Sequence, residues 1–243
     1  MSTKLETVTI MDIPFVNKTY TDFIETVTSA TIDEEKQFIV TANPEIVMAT
    51  RKDAAYKQIV QTADYVVPDG IGIIVAAKLQ KEALQERIAG FDVMTSLLEK
   101  ADAHKLSCFF LGASEAVNEK AVQQIQKTYP NLIVAGRHHG YFDISDTEVQ
   151  EHVIASEADL VFVALGFPKQ EKWIDACMPR CHKGTFIGVG GSFDVFAGNV
   201  KRAPDFWIKW NIEWLYRLLK QPFRWKRMLP IVKFLWLIVR KKD

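Results

Sequence analysis

Asp159-Leu160-Val161-Phe162-Val163-Ala164-Leu165-Gly166 is an apolar run of strand length, opened by one acid and closed by a glycine. Nothing in it alternates. It suits a strand covered on both faces, as in the middle of a parallel sheet. Working outward, β-branched and apolar runs recur at 184–189, 132–136, 107–111, 65–67, 37–41 and 7–13. Between them lie stretches with helical spacing at 20–32, 44–52, 54–61, 72–79, 91–104, 116–129, 146–155 and 169–178. Strands alternating with helices predict an α/β fold, Rossmann-like, with a mostly parallel sheet covered by helices. Right-handed crossovers then bring the carboxyl ends of the strands to one edge, where open sheets bind ligands.

The chain changes character after Gly198. The formal net charge of the 243 residues is zero, yet residues 201–243 hold 12 Lys and Arg against three acids. The remainder is correspondingly acidic. Trp207, Trp210, Trp214, Trp225 and Trp236 all lie in this tail, and only Trp173 lies before it. Pro222 predicts a break between two helices. The division that follows is an α/β core over 1–196 and a helical appendage over 197–243. A Lys/Arg-rich, Trp-bearing amphipathic segment is the pattern of interfacial membrane binding. Each basic residue near an anionic leaflet contributes roughly 1 kcal/mol. An apolar tail in water also leaves self-association into a homo-oligomer open. Nucleic acid is disfavoured, because the bases are interleaved with a bulky apolar stripe. The stretch 228–239 contains Pro230 and Lys233 and is too short to span a bilayer. With three cysteines and no basic, apolar leader pattern at the N-terminus, the composition fits a reducing cytoplasm.

Small and polar residues follow the predicted strands: Thr41-Ala-Asn43-Pro44, Pro68-Asp69-Gly70, Gly112-Ala-Ser114, Gly166-Phe167-Pro168-Lys169-Gln170-Glu171 and Gly190-Gly191-Ser192-Phe193-Asp194. On one edge of a parallel sheet, such turns let a backbone approach a ligand, and helix N-termini offer free N–H groups to phosphate. Asp69, held between a proline and a glycine, can take a proton from an attacking hydroxyl or cap the next helix. Asp194 has the same two readings. Arg87 can grip a phosphate or pair with Asp92. There is no Asp-x-Asp pair, no P-loop and no complete G-x-G-x-x-G. The missing third glycine argues against a nucleotide-dependent oxidoreductase. Glu157-Ala-Asp159 imitates a metal-binding acid pair but enters its strand from the wrong end. Cys177-x3-Cys181-His182 lacks a second ligand pair for zinc, and His138-His139 reads as a solvated loop pair.

Taken together with Arg87-Ile-Ala-Gly90-Phe-Asp92, Gly140-Tyr141-Phe142 and Arg202-Ala203-Pro204, these motifs run in the order found in one family. The chain resembles the WecG/TagA/CpsF family, glycosyltransferase family 26, over nearly its whole length, and within it the TagA type. The resemblance implies transfer from UDP-N-acetylmannosamine to undecaprenyl-diphosphate-linked N-acetylglucosamine, an early step of wall teichoic acid linkage-unit synthesis. It implies inversion to a β-1,4 bond without a metal or other cofactor, at the inner face of the bacterial cell membrane. It also implies roles for residues. Asp69 becomes the general base. Thr41, Asn43, Arg87 and Gln170 surround the reacting sugar and diphosphate. Gly112, Tyr141 and Asp194 lie on the donor side, and Arg217, Arg224 and Arg227 close over the diphosphate. Ala89 stands where the family usually has Thr. The residues alone leave open another UDP-sugar donor, such as UDP-N-acetylmannosaminuronic acid, and a membrane-recruited nucleotide-binding adaptor without activity. Removing residues after about 200 is expected to end transfer and leave the core folded.

Overall fold

The computed structural model describes residues 6–204, 206–207, 210, 213–220 and 225–240. It opens on a hairpin of β1 (Thr7–Ile10) and β2 (Ile13–Val16), paired antiparallel. The sequence pattern reads 7–13 as one strand, and the structure corrects this. Met11 and Asp12 have φ of 49° and 66°, and two consecutive left-handed residues reverse the chain in a tight hairpin turn.

The main sheet has six strands in the order β4-β3-β8-β7-β5-β6. They are β3 (Lys36–Ala42), β4 (Tyr65–Pro68), β5 (Ser107–Gly112), β6 (Ile133–His138), β7 (Leu160–Ala164) and β8 (Gly184–Gly188). Every pairing among them is parallel. The continuous apolar run at 160–164 is β7, buried at all its residues between β5 and β8. Helices α1 (Tyr20–Ile32), α2 (Pro44–Thr50), α3 (Ala54–Thr62), α4 (Ile71–Leu79), α5 (Gly90–His104), α6 (Glu115–Thr128), α7 (Thr147–Ser156), α8 (Lys169–Cys177) and α9 (Ser192–Phe196) cover it. Two further helices follow, α10 (Glu213–Lys220) and α11 (Trp225–Arg240).

Successive residues of a strand point to opposite faces, so the sheet divides the apolar interior in two. Phe109, Leu111, Val161 and Val163 face α2, α3, α4, α7 and α8. Cys108, Phe110, Leu160 and Phe162 face α1, α5, α6 and α9. The chain thus leaves β3, β4, β6 and β7 toward the first face, and β5 and β8 toward the second. From β3 across to β6, neighbouring strands send their connections to opposite faces. Alternation of this kind is what forms a ligand groove above strand carboxyl ends in open α/β sheets.

The opposite edge is closed by charge. The Asp159 carboxylate accepts hydrogen bonds from Ser107 N at 2.8 Å, Ser107 Oγ at 2.7 Å and Lys183 Nζ at 2.7 Å. Burial works against its ionisation, but the bonds from Lys183 and Ser107 outweigh it and hold the carboxyl below its usual range. Asp159 is therefore a structural acid at the amino end of β7, as its position in the sequence suggests.

Helix α11 returns to the core and packs on α2 and α4. Phe234 and Ile238, at 0% and 1% exposure, sit in the first apolar cluster. Removal of everything after residue 200, expected to leave the core folded, takes this packing with it. Such a truncation strips two core side chains along with the tail. Among the described residues no helix is long and apolar enough to cross a membrane.

Candidate active site

Each connection leaving the sheet enters a helix whose N-terminus faces the groove. The first turn of any helix holds backbone N–H groups without intrahelical partners. Away from the groove these are satisfied locally: Thr19 and Asp53 cap α1 and α3 with side-chain oxygens. At the groove, Asn43, Ser114 and Asp146 cap α2, α6 and α7. Helices α4, α5, α8 and α9, however, begin at Gly70, Ala89, Pro168 and Gly191 with no side-chain cap bond. Uncapped N-termini gathered on one edge are an anion-binding arrangement. Ala89 is part of it, since a residue without a hydroxyl leaves the start of α5 open.

Asp69 follows β4 directly, and its N–H donates to Ala42 O at 3.0 Å. The next backbone bond brings in Arg87: Ile88 N donates to Pro68 O at 3.0 Å. That bond clamps the 80–89 segment against the end of β4 and sets Arg87 beside the Asp69 turn. Thr41 lies one strand over. Its hydroxyl donates to Gly188 O at 3.0 Å. A Cβ on Gly90 would lie 3.0 Å from Thr41 Oγ1, so α5 starts against this side chain because residue 90 has none. Asn43 Oδ1 accepts from Ile46 N at 3.0 Å. Its amide nitrogen takes no part in that cap.

Gln170 is buried, at 4% exposure. Its Oε1 accepts from Gly166 N and Gly190 N, both at 3.2 Å. Asp194 lies in the first turn of α9, beyond Gly190. Tyr141 follows β6 and is 79% exposed. Asp69, Gln170 and Asp194 therefore share one edge, and Tyr141 lies at its far end. Arg224 falls outside the described residues, and Arg217 and Arg227 are described only as helix backbone. The chain that carries all three is anchored at both ends beside the groove. Arg202 pairs with Asp92 in the first turn of α5 and lies over the Phe91 ring at 4.7 Å. Ile231 lies against Gly72, in the first turn of α4.

Gly112 has φ of 126°, and a Cβ there would come within 2.4 Å of Ala164 O. Only glycine fits between the ends of β5 and β7. Gly112→Ala is expected to destabilise by about 1–3 kcal/mol from the dihedral alone, and to weaken UDP binding at least about tenfold as the turn shifts. Calorimetric titration with UDP and a thermal melt check both.

Three residues of this region escaped the sequence reading as site residues. Asn118, fully buried in α6, points its Nδ2 at Phe110 O, Gly112 O and His138 O within 3.1 Å and joins the ends of β5 and β6. Tyr56 and Glu171 form a buried pair behind Gln170. The only signal in the sequence was the acid directly after Gln170. His138 and His139 line a cleft with Phe142, Asp146 and His152, and Cys108, Cys177 and Cys181 are free thiols. Among the described residues no group of three or more His, Cys, Asp or Glu is placed to hold a metal ion.

The sequence matches the model of the glycosyl transferase WecG/TagA/CpsF family over residues 8–243. It is 41% identical over 237 residues to a Bacillus spizizenii protein named N-acetylglucosaminyldiphosphoundecaprenol N-acetyl-beta-D-mannosaminyltransferase, covering 97% of this chain and 92% of that one. A Bacillus subtilis protein of the same name is 41% identical, with 98% and 93% covered. One from Staphylococcus aureus is 38% identical, with 97% and 93% covered. An α/β core, an edge of open helix N-termini and a full-length match lead to one assignment: this chain belongs to the WecG/TagA/CpsF family of glycosyl transferases.

Proposed function

We propose that this chain is an inverting hexosyltransferase that moves N-acetylmannosamine from UDP-N-acetylmannosamine to undecaprenyl-diphosphate-linked N-acetylglucosamine. The product carries a β-1,4 bond and enters wall teichoic acid linkage units. The names of the relatives support the reaction. The observation that carries it is the clamp that sets Arg87 beside the Asp69 turn, on an edge of uncapped helix N-termini.

Asp69 accepts the proton of the acceptor's 4-hydroxyl as that oxygen attacks the anomeric carbon. UDP leaves from the opposite face in a single displacement, so the configuration inverts. Negative charge grows on the leaving diphosphate and is met by Arg87, by the open N–H groups of α4 and α5, and by Arg217, Arg224 and Arg227. Preorganised donors of this kind are worth about 10²–10³ in rate each. Thr41 and Asn43 lie at the adjoining strand end and contact the reacting sugar, while Gly112, Tyr141 and Asp194 serve the nucleotide.

The lipid acceptor requires a membrane surface. Among the described tail residues Phe206, Trp210, Trp214, Leu219, Val232 and Trp236 are exposed, and Arg240 lies over the Trp236 ring at 4.9 Å. Trp and Arg together at the surface suit the headgroup layer of an anionic leaflet. The reading is peripheral attachment to the cytoplasmic face.

A transfer assay tests the reaction, using a panel of UDP-sugars and a short-chain lipid-diphosphate N-acetylglucosamine acceptor, with and without a chelator. UDP-N-acetylmannosamine is expected to be the preferred donor, with the rate unchanged by chelation. Preference for another UDP-sugar overturns the donor, and loss of rate on chelation overturns the metal-free route.

A further inference from the structure

We infer that Glu171 and Tyr56 are positioning residues of this transferase, acting through Gln170 to hold the Gly166 and Gly190 turns at a fixed separation. The geometry is a chain of hydrogen bonds across three elements. Tyr56 OH, on α3, donates to Glu171 Oε2 at 3.1 Å. Glu171 Oε1 accepts from Gln170 Nε2 at 2.8 Å. Gln170 Oε1 accepts from the N–H groups of Gly166 and Gly190. All three side chains are buried, with Tyr56 at 0%, Glu171 at 1% and Gln170 at 4% exposure. Gly188 leaves room for the amide, since a Cβ there would lie 2.4 Å from Gln170 Nε2.

The chemistry of the acid decides the direction of the amide. An ionised carboxylate only accepts hydrogen bonds. Glu171 Oε1 accepts here, so Gln170 Nε2 turns toward it and Oε1 is left facing the two glycine N–H groups. A neutral partner does not impose that choice. The arrangement is costly for a packing residue: a buried carboxyl needs partners for its oxygens. Burial outweighs the bonds from Gln170 and Tyr56 and holds the Glu171 carboxyl above its usual range, while both of its oxygens still face donors. Leu or Met would fill the same space without that demand.

What the chain of bonds holds is the floor of the groove. Gly166 follows β7 and Gly190 follows β8, and a Cβ on either would meet nothing within 4 Å. Both turns border open space, with φ of 73° and 51°. They flank the uncapped starts of α8 and α9. A ligand spanning β7 and β8 meets these turns together, so their spacing enters its binding. The inference rests on the transferase reading for the ligand but not for the bonds.

The test uses the full-length protein with Glu171→Gln and Tyr56→Phe. Tyr56→Phe removes one hydroxyl and keeps the ring packing, so it carries the test should Glu171→Gln fail to fold. Amide exchange at Gly166 and Gly190, measured without substrate, is expected to rise about tenfold in Glu171→Gln and less in Tyr56→Phe, as local opening becomes easier. In the transfer assay kcat/KM for the donor is expected to fall about tenfold or more in Glu171→Gln, well below the melting temperature, because small misplacements are costly at a reacting centre. Variants that melt earlier but keep wild-type exchange at both glycines and wild-type kcat/KM overturn the inference. A wild-type protein without transfer activity overturns the transferase reading alone, since the exchange measurement stands apart from it.

Discussion

Asp69→Asn is expected to lower turnover by about 10²–10⁴-fold, the span for loss of a general base, with UDP affinity unchanged. The substitution preserves shape and removes the negative charge together with the capacity to take a proton. The turn depends on backbone bonds, from Asp69 N to Ala42 O and from Ile88 N to Pro68 O, and neither involves the carboxylate. The main chain at Arg87 therefore keeps its place beside the turn, and α4 and α5 still begin at the same edge. The measurements are kcat at saturating donor and acceptor, and calorimetric titration with UDP. A turnover within threefold of wild type removes Asp69 from the reaction. A loss of UDP affinity matching the loss of turnover makes Asp69 a binding residue instead. A nucleotide-binding adaptor behaves differently from both outcomes, because its wild-type form binds UDP and transfers nothing.

The sheet was legible because its inner strands are buried on both faces and run into Gly, Pro, Asp or Asn, whereas β6, at the edge, is only half-buried and ends at His138. A continuous apolar run such as Leu160–Ala164 has few other homes, and Gly112 or Gly166 marks where it stops. The hairpin at the start was misread because Met11 carries no turn signal, although it adopts a left-handed conformation with Asp12. The candidate residues at strand ends were legible for the same reason as the strands: in a parallel sheet, sequence position fixes the edge. The support behind them was not. Tyr56 and Glu171 meet across 115 positions of sequence, and no local pattern announces a partner so distant. Asn118 is similar, since a polar residue on an otherwise regular helix reads as solvent-facing until the strands it joins are known.

The last helix shows a different kind of ambiguity. Phe234 and Ile238 are four apart and share one face, while Val232, Trp236 and Val239 form a second apolar stripe at helical spacing. A sequence with two stripes does not say which one the protein covers and which it presents outward. The structure buries the first and exposes the second at 64%, 53% and 52%.

That division makes Phe234→Ala and Trp236→Ala opposite experiments on neighbouring residues. Phe234→Ala is expected to cost about 3–5 kcal/mol, as for an aromatic side chain removed from a packed core. At roughly 2–4 °C per kcal/mol for a chain of this size, its melting temperature falls by about 6–20 °C. The loss comes from the contact of α11 with α2 and α4, the helices that begin at Asn43 and Gly70. Donor affinity is expected to weaken as those N-termini loosen. Trp236→Ala is expected to change stability by no more than about 0.5 kcal/mol, the usual range for a surface position. It acts instead on binding to vesicles containing anionic lipid, measured by sedimentation, because the ring it removes supplies apolar area for the headgroup layer. Equal melting of wild type and Phe234→Ala would mean that the helix does not dock in solution. Equal vesicle binding of wild type and Trp236→Ala would take the membrane contact away from this face. If both differences hold, one helix couples the rim of the groove to the lipid surface, since its inner stripe supports α2 and α4 while its outer stripe meets the bilayer.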